Sequence, residues 1–241
     1  MRRKDGTRVL ELAPNRVLAV YSHPDDADVA CGGTLATWAA RGAEVWLVLL
    51  CDGGKGTIDA AVSPKTLASI RAGEVAVAAK AIGVTNVEML NIPDGEVDRD
   101  GQLAGELVRR IRSIKPEVVL GHDPTAVFFG SVYVNHRDHR AAGWALLDAV
   151  APASAMPHYF PECGPAHRVA DVLLSGTLDA DAYVDITSGL EAKVAAVMAH
   201  ESQLVGEPGW VAASVRSRAE ADGRTVGVAA AEGFRHLELD R

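Results

Sequence analysis

The sequence predicts an α/β fold: an open, mostly parallel sheet with helices on both faces, in a single domain. Three observations carry that reading. Short apolar runs look like strands buried on both sides, which is how strands covered by helices on two faces read. Segments with recognisable helix start and stop signals separate those runs. Strand and helix alternate through the first two thirds of the chain, which implies right-handed crossovers between parallel strands.

Taken in order, Arg16–Tyr21 (RVLAVY) is the first strand, following Pro14, and Glu44–Cys51 (EVWLVLLC) is apolar on both faces. Val87–Leu90, Val118–Gly121, Val169–Ser175 and the weaker Tyr183–Ile186 are the further strands. Lys65–Ala81 follows Ser63-Pro64, an N-cap with proline in the first turn, and stops at Gly83. Leu103–Ile114 ends before Lys115-Pro116, where proline forbids continuation. Ser188-Gly189-Leu190-Glu191 reads as a capping box, and a further apolar helix begins near Arg140. Ala151–Pro165 reads as a surface excursion. Val211–Arg241 reads as a helix followed by a late edge strand over Gly233–Leu239, with no chemistry assigned to it.

Composition removes several classes of function. The 241 residues carry 32 acidic against 24 basic side chains, a net charge of −8, with no basic run to displace counterions from a nucleic acid. The longest dense apolar run, Val45–Cys51, is only strand length, far short of the roughly 18 residues of a membrane span. The charged opening never supplies the apolar stretch of a secretory signal, so a cytoplasmic protein is expected. Cys31, Cys51 and Cys163 are widely spaced, which indicates neither a disulfide framework nor a thiolate metal site.

In sheets of this kind ligands sit beyond the carboxyl ends of the strands, so the residues just after each strand matter most. After the first strand comes Ser22-His23-Pro24-Asp25-Asp26-Ala27-Asp28, with no GxGxxG; the loop Asp52–Thr57 fails the Walker pattern because Leu49 stands where its first glycine belongs. A histidine and carboxylates in one proline-stiffened turn suit a divalent cation such as zinc, with His23 and one following aspartate converging while the other points elsewhere. One turn cannot complete a catalytic metal site, and Asn135-His136-Arg137-Asp138-His139 is the expected distant contributor. Against this, Asp25 or Asp26 could simply cap the next helix, and His122, His158, His167 and His236 taken singly read as ordinary histidines.

These residues resemble the PIG-L/LmbE-like N-acetylglucosaminyl deacetylases, a zinc-dependent group with a Rossmann-like fold. The resemblance rests on His23-Pro24-Asp25-Asp26 with Cys31-Gly32-Gly33-Thr34, and on His136-Arg137-Asp138-His139. Supporting matches are Asp52-Gly53-Gly54, Arg71 with Glu74, Pro93-Asp94-Gly95 and His200–Gln203, so the motifs span about residues 16–203 and leave 204–241 as an extension. The chain departs from the family pattern in Ala27, with the acid one step later at Asp28, and in Arg137, which replaces a common proline.

The resemblance implies that His23, Asp26 and His139 hold Zn2+, that Asp25 is the general base, and that His136 protonates the leaving amine or stabilises the oxyanion with Asp138 tuning its charge. It implies sugar binding by Arg71 and Asp94, although Arg71 also reads as a solvated helix face. Two histidines and an aspartate also accommodate iron, manganese or cobalt. The implied activity is removal of an acyl group from an amino sugar within a glycoside or conjugate, the alternatives being another amide substrate or a sugar-binding module without turnover. The implied partner is a small amino-sugar molecule. Val127–Phe129 reads as a subunit contact of a homo-oligomer, a pocket wall or ordinary core.

Overall fold

The structure, a computed structural model, describes residues 7–99, 101–204 and 207–239. In chain order its elements are β1 (Arg8–Val9), β2 (Arg16–Tyr21), α1 (Asp26–Ala40), β3 (Glu44–Cys51), α2 (Pro64–Ala81), β4 (Asn86–Ile92) and α3 (Gly101–Ile114). There follow β5 (Val118–His122), a hairpin of β6 (Phe128–Phe129) and β7 (Tyr133–Val134), α4 (Arg137–Asp148), β8 (Asp171–Ser175), β9 (Ala182–Asp185), α5 (Leu190–Met198), α6 (Pro208–Val226) and β10 (Ala231–Glu238).

Eight strands form one sheet in the order β1-β9-β10-β8-β5-β2-β3-β4. Pairing is parallel from β8 through β5, β2 and β3 to β4, and between β1 and β9. Only β10 runs against its neighbours, lying between β8 and β9. The expected late edge strand is therefore an interior antiparallel strand. Its sequence, AEGFRHLE, shows no sign of which strands it joins, because those partners lie roughly fifty residues back in the chain.

Side chains alternate across β2 and divide the core. Val17, Ala19 and Tyr21 pack with Leu35 and Trp38 of α1, Val75 of α2 and Ala196 of α5. Leu18 and Val20 face Leu107 and Ile111 of α3 and Leu146 of α4. Full burial of each such leucine or valine contributes about 1.5–3 kcal/mol, which is why β2 tolerates no polar residue between Val17 and Tyr21.

Local signals decide most boundaries. Ser63 Oγ accepts the Thr66 amide hydrogen and Pro64 opens α2, as the sequence predicts. The capping box at Ser188 does not form; Gly189 takes the cap position of α5 without a side-chain bond. Helix α4 starts at Arg137 rather than near Arg140, because His136 Nδ1 accepts the Asp138 amide hydrogen and caps it. Ala151–Pro165 is less superficial than expected. It wraps the buried Arg112 guanidinium, which donates to the carbonyls of Ala153, Ser154, Met156, Tyr159, Phe160 and Gly164. No helix among the described residues is long and apolar enough to cross a membrane.

Candidate active site

The sheet order reverses direction at β2, whose neighbours are β3 on one side and β5 on the other. The crevice beyond the carboxyl ends of β2 and β5 is where such sheets bind ligands. Four side chains meet there: His23 and Asp26 from the turn into α1, His122 from the end of β5, and His139 from the first turn of α4.

The three expected ligands converge. His23 Nδ1 lies 3.2 Å from Asp26 Oδ2 and 3.2 Å from His139 Nε2, and His139 Nε2 lies 3.1 Å from Asp26 Oδ1. Zinc bonds of about 2.0–2.1 Å arranged tetrahedrally put ligand atoms roughly 3.3–3.4 Å apart, so the spacing suits one ion. Tautomers agree with that use. Asn135 Nδ2 donates to the Ala126 carbonyl, which turns Asn135 Oδ1 toward His139 Nδ1 at 3.1 Å; the proton sits on Nδ1, and Nε2 keeps its lone pair for the site. On His23 the far nitrogen, Nε2, lies 3.3 Å from Asp94 Oδ1 and 3.4 Å from Asp138 Oδ2, so it carries the proton and Nδ1 faces forward. Burial opposes charge on His23, but hydrogen bonding to Asp138, Asp26 and Asp94 prevails and raises its pKa, so without an ion the ring takes a second proton on Nδ1, which a metal at the site would displace. Burial likewise works against an ionised Asp26, yet its imidazole neighbours, His139 foremost, outweigh it and hold the carboxyl low.

His122, read from sequence as an ordinary histidine, belongs to this cluster. Its ring stacks on His139 at 4.1 Å with 8° between planes, and its Nε2 lies 3.3 Å from Asp26 Oδ2. Nε2 accepts the Ser22 amide hydrogen, and burial pushes the imidazole down to about 4 against the pull of Asp26, so His122 is neutral. A signal for it existed: it ends a strand at the same carboxyl edge as His23.

Asp25 stands at the N-cap position of α1 but caps nothing. Its Oδ1 accepts a 2.7 Å hydrogen bond from Arg71 Nη2, leaving the other oxygen available. Arg71 is 3% exposed, which rules out the solvated helix face, and its Nη1 donates to the Gly53 carbonyl. Gly53 sits at φ +66°, and a Cβ there would come within 2.7 Å of the guanidinium, so glycine is required for the approach. Arg71 thus touches the Asp25 carboxylate directly.

Asp138 differs most from expectation. It is fully buried; Oδ2 accepts from the Gly95 amide at 2.7 Å and the Cys51 thiol at 3.4 Å, and Oδ1 accepts from the Val97 amide. His136 Nδ1 is farther from it, at 4.0 Å, than His23 Nε2. Despite burial, His23 and the Gly95 amide hold Asp138 down at about 2. Asp138 therefore supports His23. His136 is half exposed, and burial together with repulsion from His23 lowers its pKa, so the ring is neutral with Nδ1 accepting and Nε2 carrying the proton. Asp94 is buried behind His23 with its Oδ2 on the Lys55 amide, and hydrogen bonding to His23 lowers its pKa. Cys51, His23 and Asp138 also cluster, but burial pushes the thiol up to about 11, which keeps it a donor to Asp138 rather than a thiolate ligand.

Two further buried groups brace α1. Asp28 Oδ2 pairs with His200 Nε2 at 2.8 Å, which ties the His200–Gln203 stretch to α1. Glu232 of β10 accepts from the amides of Gly33 and Thr34, from Thr34 Oγ1 and from Lys193 Nζ. A Cβ on Gly33 would lie 2.9 Å from Ile186 Cβ and 3.1 Å from Glu232 Oε1, so glycine there leaves room for Ile186 and for the Glu232 carboxylate. From Asp25, Asp26 and His139 a cavity of about 660 Å³ runs past Phe129 and Tyr133 to α6 and β10. Phe129 is thus a pocket wall, while Phe128 beside it is exposed.

Residues 18–150, more than half of the chain, match the PIG-L family, described as GlcNAc-PI de-N-acetylase. The chain belongs to the PIG-L family. Diacetylchitobiose deacetylase of Thermococcus kodakarensis is 34% identical over 193 residues, covering 78% of this chain and 70% of that relative. A 1D-myo-inositol 2-acetamido-2-deoxy-alpha-D-glucopyranoside deacetylase of Thermobispora bispora is 31% identical over 260 residues, 84% of either chain. Among solved structures, inhibitor-bound N,N'-diacetylchitobiose deacetylase of Pyrococcus horikoshii superposes with a TM-score of 0.84 at 30% identity, over 93% of this chain and 84% of that one. PIG-L deacetylases are metal-dependent amide hydrolases, and this chain is a deacetylase of that kind.

Proposed function

We propose that this PIG-L protein, acting as one domain, uses zinc held by His23, Asp26 and His139 to remove the N-acetyl group from an N-acetylglucosamine unit within a larger glycoside or conjugate. The observation that carries the reading is the set of three separations of 3.1–3.2 Å among His23 Nδ1, His139 Nε2 and the Asp26 carboxylate, the far nitrogen of each histidine being turned to Asn135 or to the Asp94 and Asp138 carboxylates. The substrate assignment rests on the relatives, which act on diacetylchitobiose and on an acetamidoglucosyl inositol.

A divalent ion at those ligands supplies Lewis acidity toward the amide carbonyl and the attacking water. The remaining chemistry belongs to the chain. Asp25, with one oxygen held by Arg71, accepts the water's proton on the other as the new C–O bond forms. His136, neutral and half exposed, offers Nε2–H to the carbonyl oxygen as charge develops there. The C–N bond then breaks, the nitrogen leaves with the proton held at Asp25, and acetate and a free amine result. In this scheme Asp138 and Asp94 position His23, and Arg71 positions Asp25. That departs from the roles in sugar binding and in tuning His136 that the resemblance implies.

The test is amine release from N-acetylglucosaminides by metal-analysed protein, before and after chelation and with zinc, iron, manganese or cobalt restored. Zinc-restored turnover on these substrates supports the proposal. Activity confined to non-sugar amides, or undiminished by chelation, overturns it.

A further inference from the structure

Two adjacent side chains at the start of α4 grip one loop by complementary atoms. Residues 93–98 leave the end of β4 and turn at Gly95, where φ is +82°. Asp138 accepts from the amides of Gly95 and Val97, while Arg137 Nη1 donates to the carbonyls of the same two residues, 2.9 Å from each. Those four atoms belong to the four successive peptide groups between Asp94 and Asp98, so every one of them is held. At the near end of that run Asp94 Oδ1 lies 3.3 Å from His23 Nε2. From the other side Lys55 Nζ donates to the Asp94 carbonyl at 2.6 Å and to Glu96 at 2.8 Å, which keeps the loop in place but fixes only its first peptide group. Arg137 Nη2 also pairs with Asp98, but both side chains are more than half exposed and such a pair contributes little.

We infer that Arg137 is a positioning residue for the metal centre: it fixes the backbone of residues 94–98, so that the Asp94 and Asp138 carboxylates meet His23 Nε2 at a set distance and Nδ1 stays turned to the ion. This rests on the metal assignment proposed above and goes beyond it. Arg137 is absent from the cavity wall, and it reaches the ion through the loop and through Asp138, whose Oδ1 lies 3.5 Å from its Nη1. The proline common at this position in the family would stiffen the start of α4 from within, yet it has no donor for the loop. This chain places the stiffening outside the helix.

The test measures the zinc dissociation constant by chelator competition, and the melting temperature of the metal-free protein, for the wild type, Arg137→Pro, Arg137→Ala, Arg137→Lys and Asp98→Ala. Proline suits the first position of a helix, and His136, at φ −55° and ψ 143°, already has the extended backbone required before it, so Arg137→Pro retains α4. Loss of a ligand's outer partner weakens metal binding about 10- to 100-fold, and Arg137 stands one step further out. Arg137→Pro and Arg137→Ala should therefore weaken zinc about tenfold with the melting temperature nearly unchanged. Arg137→Lys should recover part of the loss, because an ammonium can still donate to both carbonyls, and Asp98→Ala should bind as the wild type does. Added to Asp94→Asn, Arg137→Pro should cost less than it does alone, since the contact set by the loop is already lost. Unchanged affinity in Arg137→Pro and Arg137→Ala, affinity that falls only in step with melting temperature, or additive losses in the double variant overturn the inference. A loss in Asp98→Ala as large as in Arg137→Ala overturns it too, by assigning the effect to the exposed ion pair. In each case zinc binding by the wild type leaves the metal assignment standing. A wild type that binds no zinc overturns both.

Discussion

At the β2 and β5 end of the cavity each charged or imidazole group has a partner that fixes which atom faces inward: Asn135 for His139, Asp94 and Asp138 for His23, Arg71 for Asp25. At the α6 end Arg218 is exposed, near enough to Asp222 to attract it but in no hydrogen bond or close ion pair among the described residues, on a helix whose Ala219 is buried in the core. The difference shows where rigidity is required. Reacting groups must be held before substrate arrives, since sub-ångström misplacement lowers the rate, whereas a wall remote from the reacting atoms carries no such requirement.

Substitutions that break the fixed end should have the largest effect. Asp26→Ala or His139→Ala removes a ligand, and turnover should fall at least about a thousandfold together with bound metal, measured by amine release and elemental analysis. Asp25→Asn should keep metal and lose about 10²- to 10⁴-fold in kcat; near-normal turnover would remove Asp25 from the base role. Glu232→Ala tests the floor that joins the two ends. It leaves the buried Lys193 charge and two amides unpaired, so a loss of about 3–5 kcal/mol is expected, seen as a melting temperature lower by roughly 10 °C. Asn135→Ala should be mildest: a metal affinity weaker by about 10- to 100-fold with little change in melting temperature of the metal-free protein.

The same contrast explains what was legible in the sequence. His23, Asp26 and the His136–His139 stretch could be read because ligand convergence within one turn is encoded by neighbouring residues beside a strand end. His122 obeys the same strand-end rule but has no second ligand-type histidine next to it, so only the fold brings it to Asp26. Asp138 is only partly explained by adjacency: it lies 4.0 Å from His136 Nδ1 and favours that ring's charged form, but it is closer to His23. Residues two apart at the start of a helix point to different sides, so Asp138 turns to His23 and the Gly95 amide, while Asn135 and His139, four apart, meet. Arg71 faces Asp25 only because Gly53 lets the loop after β3 come close. The fold was legible from β2 to β8, where the strands that pair are parallel and separated by helices with recognisable start and stop signals. It was not legible for β10, whose neighbours are set by long-range pairing and by the Glu232 anchor on α1.

The placement of β10 sets an order of assembly. As the chain is made from its amino end, β2 to β5 and β8 can pair as each is completed, but β9 and β1 reach the rest of the sheet only through residues 231–238. Until that last strand inserts, Lys193 lacks the carboxylate it pairs with and the Gly33 and Thr34 amides have no acceptor. A nascent chain stalled before Ala231 could already hold its metal ligands near one another while its cavity lacks the floor that Ala231, Glu232 and Gly233 supply.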